Sequence, residues 1–242
     1  MTLSAELYAL THRGSRGDVA FYRRACGGAT SVLELGCGYG RVLTGLARPG
    51  RRLVGLDRDA GLLKLARRAL GPSAKLLRGD MRGFELGERF DRVLIPYSAF
   101  YCLLTKADAL SCLRAARRHL THDGLLLFDV YAADGFHRAR GAEGEELDRL
   151  FTLALAGRSY EVFEHSRWHR RRQRLDITYL YVDQESGRRI ELPLPQRYWL
   201  AAQLRPLLRQ AGLELVALHG DFRGGRYSPS TSERMVVTAR PR

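Results

Sequence analysis

Nine consecutive residues, Val32-Leu33-Glu34-Leu35-Gly36-Cys37-Gly38-Tyr39-Gly40, restrict what this chain can fold into more than any other feature. An apolar run that breaks into glycines at alternate positions reads as a buried strand entering a tight loop. Glycine allows the sharp turn and lets a ligand approach backbone that a Cβ would shield. A dinucleotide-binding G-x-G-x-x-G loop would place its third glycine at position 41, which is Arg41. The spacing therefore speaks against a pyrophosphate cradle. Taken alone, the glycines also suit a bare strand-to-helix turn.

Two acids narrow the reading. Asp57 ends the apolar stretch 52–57, about 20 residues downstream, where a carboxylate can accept both hydroxyl protons of a ribose. Asp80 follows a third short strand in Arg78-Gly79-Asp80-Met81, where it could accept from an adenine amino group. Either acid alone could cap a helix or shape a turn. Together with the glycine loop they fall at the carboxyl ends of successive strands, the ligand-binding edge of an open α/β sheet.

The rest of the chain follows the same grammar. Strands are expected at 31–35, 52–57, 75–77, 92–95 and 125–130, alternating with helices at 41–47, 59–70 and 107–120. A short helix at 18–26 precedes them. Such alternation implies parallel βαβ units with helices on both faces. Three antiparallel strands are then expected at 160–168, 175–183 and 189–194. A helix at 200–211 and strands at 213–219 and 234–239 complete the pattern. The expected organisation is one domain over 1–242, with an N-terminal cap at 1–28 and a β-rich insertion at 158–197. With 242 residues and 45% hydrophobic content, the chain can bury a single core of that size.

The formal charge is +14, and only Lys64, Lys75 and Lys106 are lysines, which leaves 37 arginines. A basic balance invites nucleic acid, but Arg-heavy usage alongside abundant Ala, Leu and Gly also fits a GC-rich genome. The densest run, His169-Arg170-Arg171-Arg172-Gln173-Arg174, reads as a solvated hairpin tip. No specific nucleic-acid partner is expected. Cys26, Cys37, Cys102 and Cys112 show no metal-ligand spacing, and no histidine pair has an acidic third ligand, so no metal is expected. No stretch approaches the length of an apolar span and no secretory pattern opens the chain. A cytoplasmic protein, monomeric or homodimeric, is the expectation.

With these motifs in view, the chain resembles the class I S-adenosylmethionine-dependent methyltransferases, in particular small bacterial ones opening with a V-L-E-L-G-C-G-x-G-R-V strand and loop. The likeness runs from about Tyr8 to Ala239 and is strongest at 31–59. It implies a seven-stranded, mostly parallel Rossmann-like sheet in the order 3-2-1-4-5-7-6, with an antiparallel insertion after strand 5. It also implies that Glu34, Gly36, Cys37, Gly38 and Gly40 underlie the methionine part of the cofactor, and that Asp57 and Arg58 border its ribose. Asp80 and Met81 would read the adenine, Pro96 would border the methyl group, and Tyr22 would join from the cap. The fourth strand departs from one branch of the family: Ile95-Pro96-Tyr97-Ser98 is not the N/D-P-P-Y/F signature of base and amide methyltransferases.

Tyr97 and Tyr101 are the candidate catalytic residues, and Tyr8, Tyr131, Arg197 and Tyr198 the candidate acceptor-binding ones. His12 and Asp129 also fall near the expected pocket. Methyl transfer needs alignment and water exclusion more than dedicated acid–base groups. The expected activity is methylation of a small-molecule or peptide amine. The alternatives are a small-molecule O-methyltransferase, an RNA methyltransferase using the basic surface, and a cofactor binder without turnover.

Overall fold

The strand expected ahead of the glycine loop forms as β1 (Ser31–Leu35), with all five residues buried. In the computed structural model, which describes residues 3–139 and 141–242, β1 is parallel to β2 (Arg52–Asp57) on one side and β4 (Phe90–Ile95) on the other. β3 (Lys75–Arg78) pairs with β2, and β5 (Leu120–Tyr131) with β4. β12 (Arg234–Pro241) inserts antiparallel between β5 and β11 (Leu213–His219). In the numbering of the main sheet alone this is the order 3-2-1-4-5-7-6, as the sequence led us to expect.

Parallel strands covered on both faces bury side chains on both, which explains their nearly unbroken apolar sequences. On one face, α2 (Asp18–Ala25), α3 (Arg41–Leu46) and α4 (Ala60–Leu70) pack Tyr22, Val42, Leu43 and Leu63 against Val32 and Leu94. On the other, α5 (Lys106–Arg118) and α6 (Ala201–Gln210) pack Leu113 and Leu204 against Leu33, Val93 and Phe128. The Asp59 side chain accepts from the Leu62 amide at 2.8 Å and starts α4. That cap holds Asp59 itself outside the helix. Helix α5 stops at Arg118, two residues before the expected limit. The following strand starts at Leu120, where Leu120 pairs with Phe90 and a register shift follows. The expected Asp123-Gly124 turn is thus absorbed within β5.

The insertion is larger than the three strands predicted. β6 (Glu143–Leu155), β7 (Arg158–His169) and β8 (Arg174–Asp183) form an antiparallel meander, with β9 (Arg189–Pro193) and β10 (Gln196–Arg197) both along the far side of β8. β6 escaped the sequence reading because its two faces do not alternate. Leu147, Leu150 and Phe151 are exposed, while Glu146 is half-buried. Between β7 and β8, Arg171 and Arg172 are exposed at the tip. Helix α1 (Leu3–Thr11) docks beneath this second sheet, where Leu7 packs with Leu153, Tyr160, Val162 and Tyr181. Among the described residues, no helix is long and apolar enough to cross a membrane.

Candidate active site

The glycine loop is held by backbone bonds that its residue types permit. The amides of Gly36 and Cys37 both donate to the Leu56 carbonyl, at 2.8 and 3.1 Å, which binds the loop to the end of β2. Gly36 and Gly38 have φ of 69° and 52°, values costly for residues with a Cβ. A Cβ on Gly36 would also stand 3.2 Å from that of Ala99. The Gly38 amide donates to Asp57 Oδ2 at 2.7 Å and the Asp59 amide to Oδ1 at 2.8 Å. Burial raises the Asp57 pKa, against the pull of these two amide donors.

Two adjoining cavities open along this edge. One, of about 340 Å³, is lined by Asp57, Arg58, Asp80, Met81 and Leu103, with Ser4, Ala5 and Tyr8 of α1 closing one side. Asp80 is engaged there by Arg82, which contacts both carboxylate oxygens and also reaches Asp108 at 3.2 Å. These bonds depress the Asp80 pKa. The other cavity, of about 460 Å³, is lined by Glu34, Gly36, Cys37, Gly38, Pro96 and Tyr97 below, and by the inner face of the second sheet above. Tyr8, Gly36, Ala99, Cys102 and Leu194 border both, so the two volumes meet at the glycine loop.

Glu34 is 3% exposed, and its Oε2 has no hydrogen-bond partner. Burial pushes its pKa up to about 8, opposed by Arg41 and the Leu43 amide. Arg41 is anchored by Asp18, with guanidinium–carboxylate contacts of 2.6 and 3.0 Å, and lies 5.6 Å from the Tyr97 ring centroid. Tyr97 and Ser98 adopt φ of 53° and 59°, a strained pair of the kind concentrated at functional sites. The Tyr97 amide donates to Asp129 Oδ1 at 3.0 Å and the Ser98 amide to the Asp129 carbonyl at 2.9 Å. Asp129 thus enforces the turn that brings Tyr97 to the cavity.

From α1, Tyr8 and His12 stack with ring centroids 4.0 Å apart, and the His12 ring meets Tyr179 of β8 edge-on at 4.7 Å. His12 Nδ1 faces the Tyr8 carbonyl at 3.0 Å. A carbonyl only accepts, so this geometry assigns the proton to Nδ1 and leaves Nε2 a bare acceptor. That atom is buried without a partner. Burial lowers the His12 pKa to about 4, so the ring is neutral at pH 7. The Tyr131 hydroxyl is likewise buried and unpartnered at this cavity.

Five expected site residues lie elsewhere, for identifiable reasons. Tyr101 is fully buried, and its hydroxyl lies 3.0 and 3.1 Å from the carbonyls of Tyr131 and Trp199; it braces the core. Tyr22 is fully buried and donates to Asp129 Oδ1 at 2.6 Å. Tyr198 packs in the core, its hydroxyl 2.9 Å from His137 Nδ1. Arg197 lays its guanidinium 4.7 Å from the Trp199 ring, while its neighbour Gln196 lines the cavity. Gly40, at φ 79°, starts α3 beside α4. A Cβ there would come within 2.8 Å of Leu70 Cδ1 and 3.1 Å of Ala66 Cβ, so this glycine serves helix packing. The sequence reading missed Glu146, Asp148, Glu164 and Gln196, all at the larger cavity. Strand alternation could have placed Glu146 and Asp148 on the face of Glu164 only if β6 had been recognised.

Tyr22 therefore acts through Asp129. Replacing it with Phe should leave a buried carboxylate without its hydroxyl donor and destabilise the fold by about 1–3 kcal/mol. Urea unfolding checks this; an unchanged midpoint would show that the Tyr97 amide and Arg234, 3.6 Å from Asp129 Oδ2, suffice.

A sheet in this order, with a glycine loop and a carboxylate at adjoining strand ends, defines a Rossmann-like methyltransferase architecture. The chain matches the methyltransferase domain family over residues 32–124. It is 30% identical over 192 residues to the dTDP-3-amino-3,6-dideoxy-α-D-glucopyranose N,N-dimethyltransferase of Streptomyces fradiae, across 76% of this chain and 72% of that protein. It is 28% identical over 212 residues to the cypemycin N-terminal methyltransferase of Streptomyces sp, across 87% and 83%. The structure of the CcbJ methyltransferase from Streptomyces caelestis superposes with a TM-score of 0.78 at 27% identity, over 93% of this chain and 88% of that one. The chain belongs to the class I S-adenosylmethionine-dependent methyltransferases. It is an enzyme, and S-adenosylmethionine is its cofactor.

The residues present fit that cofactor. The orphaned Glu34 oxygen is an acceptor suited to an ammonium group, and a Cβ on Gly38 would meet nothing nearer than Leu62 Cδ1 at 3.9 Å. The loop therefore leaves room for a ligand above it.

Proposed function

We propose that this enzyme methylates the nitrogen of a small-molecule or peptide amine. The observation that carries this reading is the acidity of the larger cavity's upper wall, the two arginines of its lining, Arg41 and Arg234, being paired with Asp18 and Asp129. In a chain of net charge +14, its upper wall presents Glu146, Asp148 and Glu164. Carboxylates draw in and orient a protonated amine and repel phosphate, which favours an amine over RNA.

In this reading Asp57 accepts the ribose hydroxyls, Arg58 borders them, and Asp80 with the Met81 backbone meets the adenine. Glu34, Gly36, Cys37 and Gly38 cradle the methionine end, and Pro96 and Tyr97 border the transferred methyl. S-adenosylmethionine supplies an electrophilic methyl on a sulfonium. Tyr8, closing from α1, and the second sheet exclude water, so the nucleophile is held in line rather than solvated. The Tyr97 and Tyr131 hydroxyls orient the amine, which gives up one proton to water as it enters and then attacks as the neutral form. The N–C bond forms as the S–C bond breaks, leaving the methylated ammonium and S-adenosylhomocysteine. No side chain has to serve as a strong base. Burial of Cys37 raises its pKa, which suits a packed residue rather than a nucleophile.

The test is S-adenosylhomocysteine release with matched acceptors: primary amines, the corresponding alcohols, a short peptide with a free N-terminus, and structured RNA. Turnover is expected with amines and not with alcohols or RNA. Turnover confined to alcohols or RNA would overturn the assignment to nitrogen.

A further inference from the structure

We infer that Asp148 and Glu164 form a binding site for a protonated amine that also bears hydroxyl groups, and that this pair sets acceptor choice. The inference rests on the N-methylation reading and names the residues and the substrate class. Asp148 of β6 and Glu164 of β7 stand directly opposite in the antiparallel register, and both line the larger cavity. Directly opposed like charges on one sheet face destabilise a strand pair. A cation lying against both removes that repulsion. Tyr179 stands opposite Glu164 on β8 and lines the same cavity. Among the described residues no three acids, histidines or cysteines converge as metal ligands, so the geometry favours an organic cation.

A second, independent observation points to a ligand. His12 and Gln196, 6% and 7% exposed, line the same cavity, and His12 Nε2 and Gln196 Oε1 have no hydrogen-bond partner. Buried polar atoms left unpaired are costly, so such atoms at a cavity mark where ligand groups belong. Both atoms accept and do not donate. A ligand that satisfies them brings O–H or N–H donors in addition to its ammonium. An amino alcohol meets this demand; an anionic or purely apolar acceptor does not.

The experiment uses the full chain loaded with S-adenosylhomocysteine and titrated calorimetrically with glucosamine, glucose and glucuronate, rings that differ chiefly in charge. Glucosamine should bind more tightly than the other two. D148N/E164Q should remove that advantage, a loss of about tenfold to a hundredfold for hydrogen bonds to charged groups. Unchanged S-adenosylhomocysteine affinity in the variant shows that it is folded. Three rings that behave alike, or an advantage for glucosamine that survives the double substitution, overturn the site. Methyl transfer is scored separately. If glucosamine binds through the pair and no amine accepts a methyl group, the site stands and the N-methylation reading fails.

Discussion

Asp57→Ala is expected to weaken S-adenosylhomocysteine binding by about a hundredfold or more, through two losses that reinforce each other. The first is direct. An ionised acceptor for two ribose hydroxyls disappears, and hydrogen bonds to charged groups contribute about 1.5–3 kcal/mol each. The second acts through the loop. Asp57 takes the Gly38 amide at 2.7 Å and the Asp59 amide at 2.8 Å, so its removal unties the glycine turn and orphans two backbone donors. Loop order would then have to be established on binding, which costs affinity. Asp57→Asn retains an acceptor oxygen without the charge and should fall between wild type and Ala. Calorimetric titration of the three proteins provides the test. An Ala variant within a few-fold of wild type would show that the ribose is held elsewhere and would remove Asp57 from the site.

The sequence was most informative where the backbone itself makes the site. Alternate glycines after an apolar run can serve few purposes, and Asp57 and Asp80 end strands whose order follows from parallel βαβ connections. Hence Gly36, Gly38, Asp57, Asp80, Met81 and Pro96 all line the paired cavities. Aromatic side chains were poorly legible, because a tyrosine in a core and one at a cavity have the same local pattern. Tyr97 and Tyr101, four positions apart, separate only through the strained turn at 97–98, which depends on Asp129, 32 residues from Tyr97. Gly40 misled for a related reason: its spacing matched the loop, but its cause is the close approach of α4. The acidic wall was illegible because β6 presents acids to a cavity and apolar residues to solvent, the reverse of the pattern that marks a strand. Such reversal is expected where function, not stability, selects the residues.

Glu34 is where the requirements of the fold and of the ligand conflict, and this gives the second large effect. Its side chain is buried beside the glycine loop with one oxygen unpaired, and its pKa rises to about 8 chiefly through desolvation. The folded protein therefore holds a proton that the unfolded chain, with a glutamate near 4.3, has already released. Stability from this group is complete below the unfolded value and is lost as pH rises towards 8. At 1.36 kcal/mol per pH unit, the loss has a ceiling of about 5 kcal/mol. His12 acts in the opposite sense, since its folded pKa is lowered to about 4. Its influence ends near the ordinary histidine value of about 6.5. From about pH 7 to 8 Glu34 acts in the same sense as the four thiols, whose folded pKa values are also raised by burial, so comparison with Glu34→Gln separates its share. Unfolding of the ligand-free protein should become easier across that interval, and Glu34→Gln should flatten the dependence and raise stability at pH 8. Ligand binding should reverse the protonation. An ammonium paired with Glu34 favours the carboxylate, so binding S-adenosylhomocysteine at pH 7 should release about one proton. Calorimetry in buffers of different ionisation enthalpy measures this, and Glu34→Gln should abolish it. Wild-type binding without proton release would separate Glu34 from the cofactor and leave its burial without a functional counterpart.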